Sequence, residues 1–336
     1  MRFVIVKTSS IGDIIQCYPV ISLIKNNFPK AKIDWVVEKN CIGPLEQHSD
    51  IEVIHILEWR RWRKNIYKHR DEIKTFIKKF RKYKYNYLID LQGNIKSGFI
   101  NYCARAEEKI GTSLYCASEW PNIFSLSHRY SVDKQSQISL QYLSIFEKHF
   151  KVNAPKNLKP PRLMVSYEQK RWIKSLIKPC FNIMICPGTS WSNKKLTKSF
   201  WQKIIEKKMK ENKTFFYFVW GSKKEHEEVL TLSKSCRSNA LVLPKISFSI
   251  WQHLMLEMDV IYTVDSCALH LAGTTNTKTC SFFGPSSAKI FKPTLSYHTA
   301  FQGRCPYNVS FVKRCPSLRK CKTGSCIKEI QINADI

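Results

Sequence analysis

One carboxylate, Asp13, follows a short apolar run and a small polar turn near the start of the sequence. The run, residues 2–7 (RFVIVK), is too continuously apolar for an edge strand and predicts a buried parallel strand. Residues 8–10 (TSS) interrupt it, and a helical pattern begins at Ile14. This order presents backbone N–H groups at the end of the strand, where the helix dipole keeps a carboxylate ionised. Asp13 is therefore a candidate proton acceptor, and Gly12 lets a ligand approach the backbone; a simple helix cap is the alternative.

A second group with ligand-binding chemistry lies in the second half of the chain. The sequence Gly188-Thr189-Ser190 follows a predicted strand at residues 182–186, and Lys194 comes soon after it. Backbone N–H groups, hydroxyls and an ammonium group suit a diphosphate. The sequence contains no G-x-x-x-x-G-K-[ST], no G-x-G-x-x-G and no Asp-x-Asp, which disfavours a P-loop, a standard dinucleotide dehydrogenase and a metal-bridged diphosphate. A leaving diphosphate would then depend on Lys194 and helix N-termini; a solvated lysine is the alternative.

A dense basic segment separates the third predicted strand from the fourth. Residues 59–84 carry twelve Lys or Arg against two acidic residues. Apolar residues at i, i+3, i+4 and i+7 from Ile73 predict an amphipathic helix with a basic outer face. Arginine forks suit phosphate, so a phosphate-binding patch and a solvated helix face are both open interpretations of the cluster that begins the segment. The cluster consists of Arg60, Arg61, Arg63 and Lys64.

Composition and charge limit the class of protein. The 336 residues are 43% hydrophobic, which is enough for two domains. Fifty-five Lys and Arg against 26 Asp and Glu give a formal net charge of +29, which implies a polyanionic partner: nucleic acid, an anionic membrane or a phosphorylated substrate. We expect no secretory signal and no membrane-spanning segment. The 13 cysteines are mostly scattered and odd in number, so we expect reduced thiols.

Strand-like runs alternate with helical runs along the chain. Strands are predicted at residues 2–7, 32–37, 53–56, 87–91, 182–186, 215–220, 240–243, 260–264 and 279–283. A proline-containing polar stretch at 153–161 is a plausible linker. We therefore expect an α/β protein with two facing Rossmann-like domains, at residues 1–152 and 162–304, and a central cleft at the carboxyl ends of the strands. Residues 305–336 form a basic, cysteine-rich tail that we expect to pack back on the N-terminal domain.

The order of several short motifs resembles one enzyme family. The motifs are VKTSSIGDII, DWVVE, RRWRK, DLQGNIKS, PGTS with Lys194, WGSKKEHEE, LPKIS and VDSCALHLAG. Over about residues 1–285 they resemble the bacterial ADP-heptose:lipopolysaccharide heptosyltransferases of glycosyltransferase family 9, most of all the branch called heptosyltransferase I. The resemblance implies a GT-B fold and an inverting transfer that requires no metal or cofactor. It places the donor, ADP-heptose, in the C-terminal domain and a lipid-linked acceptor against the N-terminal domain.

The resemblance also assigns roles to residues. Asp13 matches the general base that takes the proton of the acceptor hydroxyl, and Lys194 matches the lysine on the ADP phosphates. Matching donor-binding residues are Thr189, Ser190, Glu225, Asp265, Ser266 and His270. Matching acceptor-binding residues are Gly12, Arg60, Arg61, Arg63, Lys64, Gln92 and Lys96. The region of Glu225 has one residue more than the family pattern, and a satisfied buried imidazole is the alternative for His270.

These assignments imply transfer of heptose from ADP-L-glycero-D-manno-heptose to a Kdo residue of Kdo-lipid A, in synthesis of the lipopolysaccharide inner core. One alternative is a sibling transferase that modifies the second core heptose or a protein hydroxyl. Another is a basic nucleic-acid-binding protein, which the lack of a zinc-finger spacing, an RRM signature or a basic zipper helix disfavours. We expect a cytoplasmic enzyme that its charge holds peripherally on the inner leaflet of the cytoplasmic membrane, with no nucleic-acid partner.

The sequence departs from the family pattern in two places and in its tail. Leu196-Thr197 stands where relatives often have Trp-Pro, and Ser266-Cys267 stands where many have Thr-Gly, which affects how closely the donor approaches. Four thiols within 22 residues of the tail can make a zinc or iron site, although their gaps do not fit a two-pair C-x₂-C pattern; free thiols are the favoured alternative. These thiols belong to Cys305, Cys315, Cys321 and Cys326.

Overall fold

The chain folds into two compact units, unit 1 (Met1–Met164) and unit 2 (Val165–Ile336). The computed structural model describes residues 1–155, 158, 160–211 and 213–331. Within these residues each unit contains one six-stranded parallel sheet with helical crossovers. The expected α/β class with two Rossmann-like units is therefore confirmed.

Unit 1 alternates strands and helices. Its strands are β1 (Arg2–Val6), β2 (Lys32–Glu38), β3 (Ile51–Leu57), β4 (Tyr85–Asp90), β5 (Ala106–Thr112) and β6 (His128–Tyr130). Its α-helices are α1 (Ile11–Ile15), α2 (Tyr18–Asn27), α3 (Trp59–Trp62), α4 (Arg70–Phe80), α5 (Ile95–Cys103) and α6 (Ile138–Phe150). The strand order is β3-β2-β1-β4-β5-β6, the doubly wound order of a Rossmann sheet. Because the order reverses between β1 and β4, the loops after these strands flank a crevice at the carboxyl edge of the sheet.

Unit 2 repeats this topology. Its strands are β7 (Phe181–Cys186), β8 (Thr214–Phe218), β9 (Ala240–Val242), β10 (Val260–Val264), β11 (Lys278–Phe283) and β12 (His298–Gln302). Its α-helices are α7 (Tyr167–Leu176), α8 (Lys198–Glu211), α9 (Lys223–Ser233), α10 (Phe248–Leu256), α11 (Cys267–Ala272), α12 (Ala288–Phe291) and α13 (Ser325–Lys328). The order β12-β11-β10-β7-β8-β9 reverses between β7 and β10, so the loops after these two strands flank the crevice of unit 2.

The central strands are apolar because helices cover both faces of each sheet. The β1 side chains that are inaccessible to solvent point to alternate faces: Phe3, Val4, Ile5 and Val6. Burying one such side chain contributes about 1.5–3 kcal/mol relative to leaving it exposed. In α4 the predicted amphipathic pattern is confirmed, since Phe76 and Phe80 are buried and the acidic residues lie in the first turn. No helix in the described part of the chain combines the length and the apolarity that a membrane crossing needs.

The boundary between the units lies just beyond the predicted linker. Leu163 forms an isolated antiparallel bridge with His48, and the Met164 N–H donates to the Gln47 carbonyl at 2.7 Å. These contacts keep the chain in unit 1 through Met164. Three positions of the predicted linker, 156, 157 and 159, lie outside the described residues.

The tail packs within unit 2, so the expectation that it would return to the N-terminal domain was wrong for its described part, residues 305–331. Ile327 of α13 is fully buried in the unit 2 core. Asn193 Nδ2 donates to the Leu318 carbonyl at 2.6 Å, and the Cys315 N–H donates to the Pro285 carbonyl at 2.8 Å. The sequence could not show this because a short apolar segment does not specify which surface it covers.

Candidate active site

Asp13 lies in the first turn of α1, just beyond the carboxyl end of β1, next to Gly12. The Ser10 hydroxyl and the Ser10 N–H both donate to Asp13 Oδ2, at 2.7 and 3.1 Å. These are contacts of a capping box, so the carboxylate does cap the helix. This capping role does not prevent Asp13 from accepting a proton, because a carboxylate has about four acceptor positions. The contacts hold a partly accessible carboxylate at the crevice of unit 1.

Gln92 ties the loop after β4 to the loop after β1. Its Oε1 accepts hydrogen bonds from the Thr8 N–H at 3.1 Å, the Thr8 hydroxyl at 3.2 Å and the Ser9 N–H at 3.2 Å. The buried Asp90 carboxylate accepts from the N–H groups of Gln92 and Gly93, at 2.8 and 3.0 Å. Gly93 has a φ of +67°, which a side chain would strain. The structure thus brings Gln92 beside the loop that carries Asp13, and its carbonyl oxygen positions that loop.

Lys7 is a candidate functional residue that sequence reasoning missed. Its buried Nζ donates to the Leu91 carbonyl at 2.9 Å and to the Tyr142 hydroxyl at 2.8 Å. Burial opposes its charge, but Tyr142, Asp13 and Cys17 outweigh this effect, and the pKa of Lys7 is raised. Lys7 therefore stays protonated and stabilises a negative charge on Asp13. The available signal was a lysine at the end of a buried strand.

Lys96 and Arg60, which are predicted to bind the acceptor, lie near the end of β2. Lys96 Nζ lies 3.1 Å from Oε1 of the buried Glu38. Burial lowers the pKa of Lys96, Glu38 opposes this shift, and Arg60 adds to it. The thiol of Cys41, whose pKa is raised chiefly by burial, is also influenced by Arg60, Glu38, Lys96 and Asp13. These four charged groups therefore lie close enough to influence the same thiol in unit 1.

Arg61 forms ion pairs on the surface of unit 1. Its guanidinium pairs with Glu58 at 2.9 Å and with Glu72, which also accepts from Trp62 Nε1 at 3.1 Å. These contacts join α3 to α4, so the structure separates Arg61 from Arg60. The two other members of the basic cluster are exposed on the surface: Arg63 and Lys64.

In unit 2 Lys194 and Asp265 form a buried ion pair. Lys194 Nζ lies 2.5 Å from Asp265 Oδ2, and the two residues are 7% and 6% exposed. The Ser286 hydroxyl donates to the same oxygen at 2.5 Å, and His270 Nε2 lies 3.7 Å from Oδ1. Burial raises the pKa of Asp265, but Lys194, His270 and Ser286 outweigh it and hold the pKa below its usual value. Asp265 is therefore ionised, and His270 is a buried imidazole beside it.

Ser286 completes this cluster, although sequence reasoning did not select it. It is fully buried in the loop after β11, next to the strand that carries Asp265. The signal was a small hydroxyl residue in the loop that follows a predicted strand. Such residues are too common for the sequence to single out this one.

The tail braces the turn that presents Lys194. This turn is a 3₁₀ helix, Ser192–Lys194. Gly324 of the tail has a φ of +62°, and a Cβ at this position would lie 2.9 Å from the Asn193 Cα. An ammonium group has three N–H donors, of which Asp265 engages one. The remaining donor capacity suits phosphate oxygens.

Glu225 connects two loops at the carboxyl edge of unit 2. Its Oε2 accepts from the N–H groups of Gly221 and Ser222, at 2.9 and 3.0 Å, in a capping box at the start of α9. A Cβ at Gly188 would lie 2.7 Å from this carboxylate, so Glu225 contacts the loop after β7. The other predicted donor-binding residues follow β7 and β10 at this edge: Thr189, Ser190 and Ser266.

The four tail cysteines are reduced and lie in one region of unit 2. The thiol of Cys326 packs against Gly284, and burial, together with the three other thiols, raises its pKa to about 11. Hydrogen bonds from the Gly324 and Thr323 groups lower the pKa of Cys321. Among the described residues, however, no three of these sulfur atoms lie within 4.8 Å of one another. Within the described part of the chain these four cysteines form no disulfide bond: Cys305, Cys315, Cys321 and Cys326.

Comparisons with known proteins agree with the fold and show the family. The model of glycosyltransferase family 9 (heptosyltransferase) matches residues 73–320. The chain is 28% identical over 320 residues to lipopolysaccharide heptosyltransferase 1 of Campylobacter coli, covering 88% of each chain. It is 25% identical over 301 residues to the protein of the same name from Pseudomonas aeruginosa, covering 85% of this chain and 79% of that one.

Solved structures give the same fold. The structure of E. coli heptosyltransferase WaaC with ADP superposes with a TM-score of 0.78 at 22% identity, covering 92% of this chain and 94% of that chain. This likeness confirms the GT-B fold. With a family model that spans most of its length, the chain belongs to glycosyltransferase family 9, the heptosyltransferase family.

Proposed function

We propose that this chain transfers heptose from ADP-L-glycero-D-manno-heptose to a Kdo residue of Kdo-lipid A, with inversion at the anomeric carbon. Membership of the family supports heptose transfer, and the relatives named lipopolysaccharide heptosyltransferase 1 support a lipopolysaccharide acceptor. The observation that carries the proposal is the buried cluster of Lys194, Asp265 and Ser286. It lies at the carboxyl edge of unit 2, where Rossmann sheets bind nucleotides.

Unit 2 binds the donor in this proposal. Lys194 and the backbone N–H groups of residues 188–190 stabilise the negative charge of the departing diphosphate. Asp265 and Ser286 hold the lysine in place, because Lys194 and Ser286 both donate to the buried Oδ2 of Asp265. A solved relative contains ADP, which is the expected leaving group. These groups supply the charge that a metal would otherwise supply, so we propose that transfer is metal-independent.

Unit 1 activates the acceptor in this proposal. Asp13 receives the proton of the Kdo hydroxyl as its oxygen attacks the anomeric carbon. A carbon–oxygen bond forms while the bond from that carbon to the diphosphate oxygen breaks, and ADP leaves with the electron pair. Attack opposite the leaving group inverts the configuration. Lys7 places a positive charge near Asp13, and Arg60 and Lys96 attract the carboxylates and phosphates of the acceptor.

The net charge supports a peripheral location on the inner leaflet of the cytoplasmic membrane. A charge of +29 is attracted to anionic lipid, at about 1 kcal/mol for each Lys or Arg near the surface. Much of it lies in residues 59–84, which include the exposed Arg63 and Lys64. We expect the protein to float with vesicles that contain anionic lipid and to be released by salt.

Asp13→Asn tests the proposed base. Asparagine retains an oxygen that accepts from Ser10, so the helix cap and the fold survive, but an amide cannot take up the proton. We expect transfer from ADP-heptose to Kdo-lipid A, followed as ADP release and as glycolipid product, to fall about 10²–10⁴-fold. Asp71→Asn, at an exposed position, is the matched control and should keep full activity. Activity of the Asp13 variant close to that of the control would rule out this role.

An acceptor panel tests the substrate. Wild-type enzyme with ADP-heptose is offered Kdo-lipid A, the same glycolipid already carrying one heptose, and a protein substrate. We expect product with the first acceptor, and product only with another would assign the chain to a sibling activity.

Retention of activity in excess chelator is expected, since Lys194 neutralises the diphosphate in this proposal.

A further inference from the structure

A second cluster of ligating side chains lies in unit 1, outside the crevice. Glu108 of β5, His128 of β6 and His149 of α6 bring a carboxylate oxygen and two ring nitrogens within 4.8 Å of one another. His128 Nε2 and His149 Nε2 lie 3.0 and 3.3 Å from Glu108 Oε2. Metal–ligand bonds of about 2.0–2.1 Å place tetrahedral ligands about 3.3–3.4 Å apart, which is close to these separations.

The orientation of His149 is fixed by groups outside the cluster. Its Nδ1 shares a hydrogen bond of 3.1 Å with the Tyr130 hydroxyl, so its Nε2 faces Glu108. The Tyr87 ring packs edge-on against the imidazole, with centroids 5.7 Å apart. A metal-ligating histidine commonly engages its second ring nitrogen in this way, which sets the tautomer and the direction of the ligand atom.

We propose that Glu108, His128 and His149 form a binding site for a divalent transition-metal ion of the zinc type. Two imidazoles and one carboxylate suit zinc, cobalt or nickel, whereas magnesium and calcium prefer sites made of oxygen atoms alone. A water molecule completes four-coordination. The ion reaches the site from solvent, since the side chains of Glu108 and His128 are 38% and 44% exposed.

The site stabilises unit 1 and takes no part in transfer. Glu108 and His128 lie toward the amino ends of β5 and β6, and His149 lies in the last turn of α6. This is the edge of the sheet opposite the loops that carry Asp13 and Gln92. Among the described residues, the edge strand β6 has three residues and pairs only with β5, so a metal that bridges β5, β6 and α6 adds a cross-link where pairing is weakest.

Cobalt titration of the full chain, after removal of metal by chelator, tests the site. Cobalt bound by nitrogen and oxygen absorbs in the visible range, whereas cobalt bound by the 13 cysteines adds strong sulfur charge-transfer absorption in the near ultraviolet. We expect one equivalent bound without the sulfur band, zinc to displace it, and zinc to raise the melting temperature. His128→Gln and His149→Gln should each abolish this spectrum, and Tyr130→Phe should weaken binding about tenfold.

His69→Gln is the matched control, because His69 pairs with the carboxylate of Glu72 at a similar distance, 3.2 Å. It should bind cobalt as the wild type does. If His149→Gln fails to fold, the more exposed His128→Gln still decides the question. Binding with a sulfur band only, equal binding by wild type and His128→Gln, or an anomalous-scattering peak for zinc elsewhere would each overturn the proposal.

Discussion

Lys194→Ala is expected to destabilise unit 2 strongly, because it leaves a buried carboxylate without its ammonium partner. Asp265 is 6% exposed and lies 2.5 Å from Lys194 Nζ. Removing one member of a buried pair costs about 3–5 kcal/mol. Ser286 and His270 still contact the carboxylate, so we expect the free energy of unfolding to fall by about 3 kcal/mol, at the lower end of that range.

The neighbouring lysine provides the control. Lys195 pairs with Glu228 at 2.8 Å, but their side chains are 23% and 36% exposed. Lys195→Ala should therefore cost about 0–1 kcal/mol. The double variant Lys194→Met/Asp265→Asn removes both charges and should be more stable than Lys194→Ala alone. Equilibrium denaturation monitored by circular dichroism measures all three, from the midpoint and the slope. A Lys194→Ala variant as stable as Lys195→Ala would refute the reasoning.

The same ion pair makes stability depend on pH. The pKa of Asp265 is held below its unfolded value of about 3.9, so its contribution to stability is complete above that pH. It is lost as the pH falls through the lower folded-state pKa, because the native state must then bind a proton that the unfolded state already carries. Stability of the wild type should fall more steeply below about pH 4 than that of Asp265→Asn. If the free energy of unfolding falls equally for the wild type and for Asp265→Asn below about pH 4, this assignment is contradicted.

Four further substitutions test the positions of other groups. Gln92→Leu removes the acceptor of two loop N–H groups, so it should lower stability by about 1–3 kcal/mol in denaturation and reduce kcat by misplacing Asp13. Arg60→Ala should raise the KM for the acceptor and change stability by no more than about 0.5 kcal/mol. Arg61→Ala should lower stability by up to about 1 kcal/mol and leave the KM for the acceptor unchanged. Gly324→Ala should cost about 1–3 kcal/mol and weaken ADP binding in calorimetry, because its backbone is left-handed and abuts the turn of Lys194.

The buried central strands were predictable, whereas β5, β6 and β12 were not. β1, β7 and β10 are continuous apolar runs, since helices cover both of their faces. β5 (AEEKIGT) carries three charged residues, and β6 has only three residues, so neither shows a strand period. The sequence of β12 (HTAFQ) also lacks the alternation of apolar and polar residues that predicts a strand. These three strands form because neighbouring strands of the sheet provide their hydrogen-bonding partners, which is information from elsewhere in the chain.

For the candidate site, motif order pointed to Asp13, Lys194 and Asp265, but their partners came from the fold. Ser286 and the tail segment lie far from their partners in sequence, and Lys7, although close to Asp13 in sequence, is buried by contacts with the distant Leu91 and Tyr142. The sequence RRWRK also did not show that Arg60 and Arg61 have different surroundings. Adjacent residues on a short helix point in different directions, and only the position of α4 decides which one meets Glu72.

The sequence by itself determined the class of fold, the two successive Rossmann-like units and the residue types at the strand ends, because these follow from local periodicity and from turn chemistry. Only the tertiary structure decided which charges meet: Lys194 with Asp265, Lys96 with Glu38, and the two imidazoles with Glu108. It also decided that the tail covers unit 2. The physical reason is that ion pairing and burial depend on distances across the sheet and on the exclusion of water, and neither is encoded in the spacing of residues along the chain.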